Sequence, residues 1–309
     1  MFLFSGSSHP ALAESVAKEL GIPLGKVTRK KFSCGESYVR FDQSVRGKDV
    51  YIIQTGTRNP NEDIVELCLM CQAAKLSFAK AVHVMMPHFP YSRQDRVTEP
   101  REPISAKLVV NLLEASGADH IIVLDLHSDQ IQGFFNIPAD ALNARSIFSH
   151  YFKQKKLKDP VVVAPDVGGA KRAKKFADAL GAELAILHKS RPAHHKAEIL
   201  HVVGNIQGKT CILFDDIIDT AGTLLSAKQA LIDRGAKPDI YAVATHGVLS
   251  GEAVERLKKA KFKEVVVSDS IPPPAGKIPS LKILGIAPLL AEVIRHVSTG
   301  QSVTEIYGE

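Results

Sequence analysis

The segment CILFDDIIDTAGT, residues 211–223, decides the fold class and contains the first candidate site. It begins with four apolar residues, passes through two adjacent carboxylates, Asp215 and Asp216, and ends in a loop of small residues. An apolar run without polar alternation is typical of a strand covered on both faces, as strands are in parallel sheets. We therefore expect a buried strand over 211–214, with both carboxylates leaving its end and a helix beginning after the loop.

Apolar runs of the same kind alternate with helical periodicity along the rest of the chain. The strand-like runs are VYII from residue 50, AVHVMM from 81, HIIVLDL from 120, VVVAPD from 161, ELAIL from 183, IYAVATH from 240 and EVVVSD from 264. The i, i+3, i+4 pattern predicts helices over 62–79, 104–116, 170–180 and 221–233. This alternation predicts the α/β class, with mostly parallel sheets flanked by helices.

The chain also predicts two similar domains. One strand-loop-helix-strand unit spans about 32 residues from Val50 to Val82, and another spans about 30 residues from Cys211 to Tyr241. A length of 309 residues is sufficient for two domains. We expect an N-terminal domain over 1–146, rejoined by 296–309, and a C-terminal domain over 147–295.

Composition argues against several partners. The net charge is +6, but the basic runs from residues 153, 171 and 256 lie in helical patterns and the chain has no Trp, so solvated helix faces explain them better than nucleic acid does. No apolar run approaches the roughly 18 residues of a membrane helix, and no secretory leader is recognisable. We expect a cytoplasmic protein without a nucleic-acid or membrane partner.

The four cysteines are consistent with a cytoplasmic protein. Cys68 and Cys71 form a single C-x-x-C pair inside an apolar helical pattern, while Cys34 and Cys211 stand apart. Buried free thiols are favoured over a metal or redox site.

The polar half of the opening segment suits a sugar phosphate. Ionised Asp215 and Asp216 can accept hydrogen bonds from neighbouring sugar hydroxyls. The loop Asp219, Thr220, Ala221, Gly222 and Thr223 offers N–H groups, hydroxyls and a helix N-terminus to a phosphate. No lysine follows Gly222, so this is not a Walker A loop. The alternative is a helix capped by Asp219 or Thr220.

Other polar segments follow strands in the same way, where ligands bind in open parallel sheets. His127 lies between Asp125 and Asp129, although a single histidine is more often structural. Asp166 precedes a Gly-Gly helix start and could hold Mg²⁺ or cap that helix.

Two basic segments could contact phosphates. Lys189 and Arg191 could stabilise charge that develops in phosphoryl transfer, and Arg93 with Gln94 could bind a polyphosphate. Each segment could equally be a solvated loop.

Together these segments resemble the ribose-phosphate diphosphokinases, also called phosphoribosyl pyrophosphate synthetases. The matching motifs cover nearly the whole chain in the family's order: FSGSSHP, KKFSCGES, QSVRGKDVYIIQTG, PHFPYSRQD, PISAKLV, GADHIIVLDLHSDQIQGFF, PDVGGAKR, KSR and DDIIDTAGT. The resemblance implies two phosphoribosyltransferase-like domains and hexamers built from dimers. It also implies transfer of the diphosphoryl group of Mg-ATP, with Mn²⁺ as an alternative metal, to the anomeric hydroxyl of ribose 5-phosphate in nucleotide biosynthesis.

The resemblance also assigns roles. It implies that residues 219–223 bind the 5-phosphate beside Asp215 and Asp216, and that Lys189 and Arg191 belong to the catalytic loop. The implied ATP and metal residues are Arg93, Gln94 and His127 for ATP, His127 and Asp166 for the metal, and Phe32, Cys34 and Glu36 for the adenine pocket of a neighbouring subunit.

Two departures from the family pattern stand out. Cys34 occupies a position where the family usually has Asp or Asn, and cysteine is a poor partner for the adenine amino group. The implied regulatory anion site consists of Ser44, Arg46, Arg101 and Ser302. Near it, Phe78 replaces a small polar residue, and Val97 and Glu99 replace lysines of one branch, so we expect altered control by phosphate and ADP.

Three other functions remain open from the sequence. A phosphoribosyltransferase would share the DDIIDTAGT signature but would have no obvious use for Arg93, Gln94 and His127. A non-catalytic regulatory relative would keep the fold, although residues 189–191 and 219–223 are intact here. Nucleic-acid binding rests on net charge alone.

Overall fold

Two mostly parallel sheets organise the chain, and the computed structural model describes residues 1–190 and 199–307. The first unit contains Met1–Asn143, Ser270–Pro272 and the described residues from Gly285 on. The second contains the described residues of Ala144–Asp269 and Pro273–Leu284.

The first unit is built on a five-stranded parallel sheet. In chain order its elements are β1 (Phe2–Ser5), α1 (Pro10–Leu20), β2 (Val27–Lys31), β3 (Ser37–Phe41), β4 (Asp49–Ile53), α2 (Pro60–Leu76), β5 (Ala81–Met86), α3 (Ser105–Ala115), β6 (His120–Leu124) and β7 (Ala139–Leu142). The strand order is β1-β4-β5-β6-β7, with every neighbouring pair parallel. Strands β2 and β3 form a separate antiparallel hairpin.

Side-chain alternation explains how helices cover this sheet. Val50 and Ile52 of β4 point to the same face and pack in one core cluster with Met70 of α2 and Val110 of α3. Burial of these apolar side chains fixes the sheet and its two helices together.

The second unit is built on a seven-stranded sheet. Its elements are α4 (Arg145–Gln154), β8 (Pro160–Ala164), α5 (Ala170–Leu180), β9 (Glu183–Ser190), β10 (Ile199–Val203), β11 (Thr210–Ile218), α6 (Gly222–Asp233), β12 (Tyr241–Gly247), α7 (Ala253–Ala260), β13 (Glu264–Ser268) and β14 (Leu281–Leu284). The order is β10-β9-β8-β11-β12-β13-β14, in which β9 and β10 pair antiparallel and the other neighbours pair parallel. The last helix, α8 (Ala287–Thr299), belongs to the first unit, where it packs against α1.

Both faces of the second sheet are covered, as the apolar runs predict. On one face Leu213 of β11 shares a core cluster with Leu231 of α6 and Leu257 of α7. On the other face the ring of Phe214 stacks on Phe176 of α5, with ring centroids 4.4 Å apart.

The predicted α/β class with two mostly parallel, helix-flanked sheets is confirmed. The basic run from residue 153 was expected to be helical. Helix α4 ends at Gln154, however, so most of the run lies beyond the helix. No helix within residues 1–190 and 199–307 is both long and apolar enough to cross a membrane.

Candidate active site

The central strand of the second sheet contains the acidic pair. The sequence predicted that the strand ends at Phe214 and that Asp215 and Asp216 follow it. Strand β11 instead extends to Ile218, so both carboxylates lie within the strand. The strand is longer because its last residues still pair with β12, as far as Ile218 opposite Gly247. Although side chains alternate along a strand, these two carboxylates interact with each other near its end.

These carboxylates have different environments. Asp216 is 3% exposed and accepts a hydrogen bond from Nη2 of Arg172 on α5 at 2.8 Å. Asp215 accepts a hydrogen bond from the N–H of Asp216 at 2.9 Å. Burial, and then the neighbouring charge of Asp216, raises the pKa of Asp215 well above its ordinary value. The sequence pattern missed Arg172, because it assigns the run from residue 171 to a solvated helix face.

The small-residue loop (residues 219–223) leads directly into α6. Its central residue, Ala221, is the N-cap and has a left-handed backbone with φ 62° and ψ 4°. As an alanine, this N-cap residue has no polar side chain to bond the helix, and the carboxylate of Asp219 accepts a hydrogen bond from the hydroxyl of Ser250. The N-cap residue is thus Ala221 and neither Asp219 nor Thr220.

The start of α6 is open to an anion. The first N–H groups of an α-helix have no carbonyl partner within the helix, and they attract negative charge. Thr220 and Thr223 are exposed beside these groups. A Cβ on Gly222 would approach other atoms no closer than 3.7 Å, so little protein crowds this position.

A third carboxylate lies at the same edge of the second sheet. Asp166 follows β8, which pairs parallel with β11. Its Oδ1 accepts a hydrogen bond from the N–H of Gly169 at 2.9 Å, so it also supports the start of α5. Its charge contributes to the raised pKa of Asp215, so these strand ends share a negative region. In the part of the chain that the structure describes, no three His, Cys, Asp or Glu residues are grouped to hold a metal.

In the first unit, the predicted triphosphate residues follow neighbouring parallel strands. Arg93 and Gln94 follow β5, and His127 follows β6, which pairs with β5. Gln94 is held in place because its Oε1 accepts a hydrogen bond from Oγ of Ser105 at 2.6 Å. Arg93 is exposed and His127 is half-buried.

The predicted adenine residues form the tip of the β2–β3 hairpin. The N–H of Phe32 donates to the carbonyl of Glu36 at 2.8 Å, and the N–H of Gly35 donates to the carbonyl of Phe32 at 2.8 Å. Gly35 has φ 95°, a backbone that glycine adopts readily. The phenyl ring of Phe32 is exposed, and the thiol of Cys34 lies at the surface of the same tip.

One residue of the predicted anion site has an unexpected partner. The guanidinium carbon of Arg46 lies 4.2 Å from the ring centroid of Phe78, a cation–π contact. Ser44, Arg101 and Ser302 are exposed. The sequence identified Phe78 as a departure but gave no sign that its ring would occupy the face of Arg46.

The predicted catalytic loop is only partly described. The backbone of Lys189 belongs to β9, paired with Leu200 of β10. Arg191, His194 and His195 lie outside the described residues.

The cysteines are free thiols. Cys71 and Cys211 are buried as expected, whereas Cys68 is half-buried and Cys34 is exposed. Burial raises the pKa of Cys71 to about 12 and that of Cys211 to about 11, which leaves both thiols protonated at neutral pH.

Two family models match this chain. The model of the N-terminal domain of ribose phosphate pyrophosphokinase matches residues 1–117, and that of the phosphoribosyl synthetase-associated domain matches residues 189–308.

Relatives that match over nearly their whole length are ribose-phosphate pyrophosphokinases. A ribose-phosphate pyrophosphokinase of Oceanobacillus iheyensis is 50% identical over 307 residues, covering 99% of this chain and 96% of the relative. That of Bacillus subtilis is 49% identical over 306 residues, with the same coverage of 99% and 96%. The crystal structure of phosphoribosylpyrophosphate synthetase from Mycobacterium smegmatis has a TM-score of 0.92 and 44% identity, over 97% of this chain and 99% of that one. The resemblance seen in the sequence is thus confirmed, and the chain belongs to the ribose-phosphate pyrophosphokinase family.

Proposed function

We propose that the protein transfers the diphosphoryl group of Mg-ATP to the anomeric hydroxyl of ribose 5-phosphate, forming phosphoribosyl diphosphate and AMP for nucleotide biosynthesis. One structural observation supports the proposal in addition to family membership. The N-cap of the helix α6 is Ala221, which has no polar side chain, and a three-residue connection joins this helix to a strand that holds two carboxylates near its end. Phosphate-binding N–H groups and hydroxyl-binding carboxylates are thus neighbours along one strand-loop-helix unit.

At the sugar end, the small-residue loop would bind the 5-phosphate. The exposed hydroxyls of Thr220 and Thr223 would add donors to the helix N–H groups. Asp215 and Asp216 would lie near the ribose hydroxyls. The raised pKa of Asp215 supports this role, because a carboxylate that is costly to ionise gains most from donors brought by a ligand.

At the nucleotide end, Arg93, Gln94 and His127 would contact ATP, with the guanidinium of Arg93 on its phosphates. The hairpin tip with Phe32, Cys34 and Glu36 would complete the adenine pocket of a neighbouring subunit. Exposure of the Phe32 ring supports this, because an exposed aromatic ring offers a stacking surface.

Catalysis would consist mainly of positioning and charge stabilisation. The anomeric hydroxyl attacks the β-phosphorus in line, and AMP leaves. Lys189 and Arg191 would stabilise the charge that develops on the transferred group. Replacing one such cation is expected to lower kcat by about a hundredfold or more.

The residues present fit Mg²⁺. The ion prefers oxygen ligands and, in phosphoryl-transfer sites, takes one or two carboxylates together with water and substrate phosphates. Asp166 supplies an exposed carboxylate beside a second negative group, without a complete protein cage among the described residues. Asp166 and His127 would hold the metal, and the carboxylate also suits Mn²⁺ as an alternative. The bound metal would neutralise the phosphate charge.

We also propose a cytoplasmic homo-oligomer, a hexamer built from dimers, with Ser44, Arg46, Arg101 and Ser302 forming an anion site of altered strength. Exposed apolar side chains on the adjacent helices α2 and α3 support association, since such surface is usually covered in assemblies. They are Val65, Leu69, Leu108 and Leu112.

The test is to incubate the protein with ATP, Mg²⁺ and ribose 5-phosphate, with and without added phosphate, and to measure AMP and phosphoribosyl diphosphate. Formation of both products without a nucleobase is expected and excludes a phosphoribosyltransferase. Folded protein that forms no product in either arm would refute the proposal and favour a non-catalytic regulatory relative.

A further inference from the structure

One neighbouring segment hydrogen-bonds to three consecutive carbonyls around the small-residue loop. The segment is 249–256, which connects β12 to α7 and forms the first turn of that helix. Its donors are the N–H of Leu249 to the Ile218 carbonyl at 3.1 Å, the N–H of Ser250 to the Asp219 carbonyl at 3.1 Å, and Nη1 of Arg256 to the Thr220 carbonyl at 3.1 Å. Backbone that is held at three successive residues has little freedom to change its conformation.

Two side chains of the segment are themselves fixed. The hydroxyl of Ser250 donates to the carboxylate of Asp219, so this serine contacts the loop through both its backbone and its side chain. The guanidinium of Arg256 also donates from Nη2 to Oε2 of Glu252 at 2.9 Å, one helical turn away. Arg256 therefore joins the first turn of α7 to the loop.

The loop needs such support, because its backbone is strained. Ala221 has φ 62°, which is costly for a residue with a Cβ and persists only where surrounding contacts impose it. Leu249 is 3% exposed and also has a positive φ, 51°, at the start of the supporting segment. With the carbonyls of 218–220 turned toward residues 249–256, the N–H groups at the start of α6 remain available for a ligand.

We propose that Ser250 and Arg256 are positioning residues, which hold the small-residue loop in the conformation that binds the phosphate of the sugar substrate. The inference rests on the proposed function of that loop. Neither side chain needs to touch the substrate. The loss of either side chain should weaken binding of ribose 5-phosphate and leave the ATP end of the reaction unchanged.

Steady-state kinetics of the full-length protein tests this with Ser250→Ala and Arg256→Ala. Each variant should raise KM for ribose 5-phosphate about two- to tenfold, the scale of one lost hydrogen bond, with KM for ATP unchanged. Lys258→Ala is the matched control, because Lys258 is a cation on the same helix whose ammonium pairs with Glu255 at 2.7 Å. It should leave both KM values unchanged. Ser250→Thr and Arg256→Lys keep a donor and should restore part of the lost affinity.

The outcomes separate the two proposals. A wild-type protein without diphosphoryl transfer refutes the proposed function, whatever the variants do. An active wild type whose two alanine variants keep the wild-type KM for ribose 5-phosphate overturns the positioning role. Equal increases in both KM values, with no recovery in the conservative variants, would also overturn it, since they would indicate general loosening of the fold.

Discussion

At the scale of single residues, the carboxyl group of Asp215 should affect both stability and the proposed binding of the sugar. Its native pKa is raised, chiefly by burial and then by Asp216, so the folded protein binds a proton here more tightly than the unfolded chain does. Its contribution to stability is therefore present at acidic pH and is lost as pH rises through the native pKa. An ionised Asp215 lowers the free energy of unfolding at neutral pH until a ligand compensates.

Asp215→Asn should therefore make the protein more stable and less active. The melting temperature at pH 7 should rise by roughly 2–4 °C, the effect of about 1 kcal/mol in a protein of this size. The value of kcat/KM for ribose 5-phosphate should fall at least about tenfold, because a charged acceptor is lost. Asp178→Asn, at an exposed helix position, is the control and should change neither quantity much. A lower melting temperature in Asp215→Asn would contradict the destabilising effect assigned to the ionised carboxylate of Asp215.

His83 has the opposite pH behaviour. Burial, and then the neighbouring His120, lowers the pKa of His83 to about 4. Its ring stacks on Tyr51 with centroids 4.4 Å apart, and its Nδ1 lies 3.1 Å from Nδ1 of His120, whose Nε2 lies 3.1 Å from the Asp140 carboxylate. The native state resists protonation, so its stability is complete above the unfolded value near 6.5 and declines as pH falls toward 4.

Between pH 7 and pH 5 this site should lower the free energy of unfolding by about 2 kcal/mol. His83→Phe keeps the stacked ring without a titrating group, so urea denaturation of this variant should show a flatter pH dependence over that range. His150→Phe makes the same change at an exposed site and should keep the wild-type slope. Equal slopes in wild type and His83→Phe would show that His83 does not titrate on unfolding.

Phe78 should limit how strongly Arg46 can attract an anion at the proposed effector site. The ring occupies one face of the guanidinium at 4.2 Å, and an exposed contact of this kind contributes about 0.5–1 kcal/mol. Phe78→Ser should free Arg46, so that the phosphate concentration for half-maximal activation falls about two- to fivefold. Leu76→Ser, at a nearby exposed position, should leave the titration curve unchanged. A Phe78→Ser curve identical to wild type would remove Phe78 from effector control.

At the scale of elements, a change at the hairpin tip should affect the KM for ATP and leave stability nearly unchanged. Gly35 has φ 95°, and alanine is strained there, so Gly35→Ala should disturb residues 32–36. KM for ATP should rise several-fold while the melting temperature barely changes, because the tip is exposed. Gly21→Ala imposes the same kind of strain at φ 70°, at the end of α1. That control should lower stability and leave KM for ATP unaffected; an unchanged KM in Gly35→Ala would argue against the adenine role.

The sequence predicts buried elements better than exposed ones. Central strands such as β4 and β11 are continuous apolar runs, because both of their faces are covered. The hairpin strand β2, VTRKK, was missed because it buries little and so carries no apolar pattern. The end of β11 was placed too early, since pairing with β12 continues through the polar residues Asp215 and Asp216.

The same limit applies to the candidate site. Motif residues such as those of 219–223 are recognisable because they are contiguous in the chain. Their partners are not: Arg172 and Arg256 lie in basic runs that indicate only a solvated helix face. Their contacts with Asp216 and Thr220 depend on how α5 and α7 pack on the sheet. Tertiary packing, which no local pattern encodes, supplies this part of the site.

At the scale of the whole molecule, activity should depend on assembly. Leu108 and Leu112 of α3 are 55% and 45% exposed, beside the exposed Val65 of α2. Leu108→Glu combined with Leu112→Glu should dissociate the oligomer, because burying two carboxylates in an interface is costly. Analytical ultracentrifugation should show smaller particles, with activity reduced. Val203→Glu, on β10 of the second unit, should keep the wild-type mass; an unchanged mass in the double variant would place the interface elsewhere.

The most direct test of diphosphoryl transfer is to follow ATP, Mg²⁺ and ribose 5-phosphate with the wild-type protein by ³¹P NMR. Both terminal phosphates should move together, so the three ATP resonances should be replaced by the single resonance of AMP and by two coupled resonances of a sugar diphosphate. Formation of ADP with a sugar monophosphate, or of inorganic phosphate alone, would contradict diphosphoryl transfer and with it the proposed function.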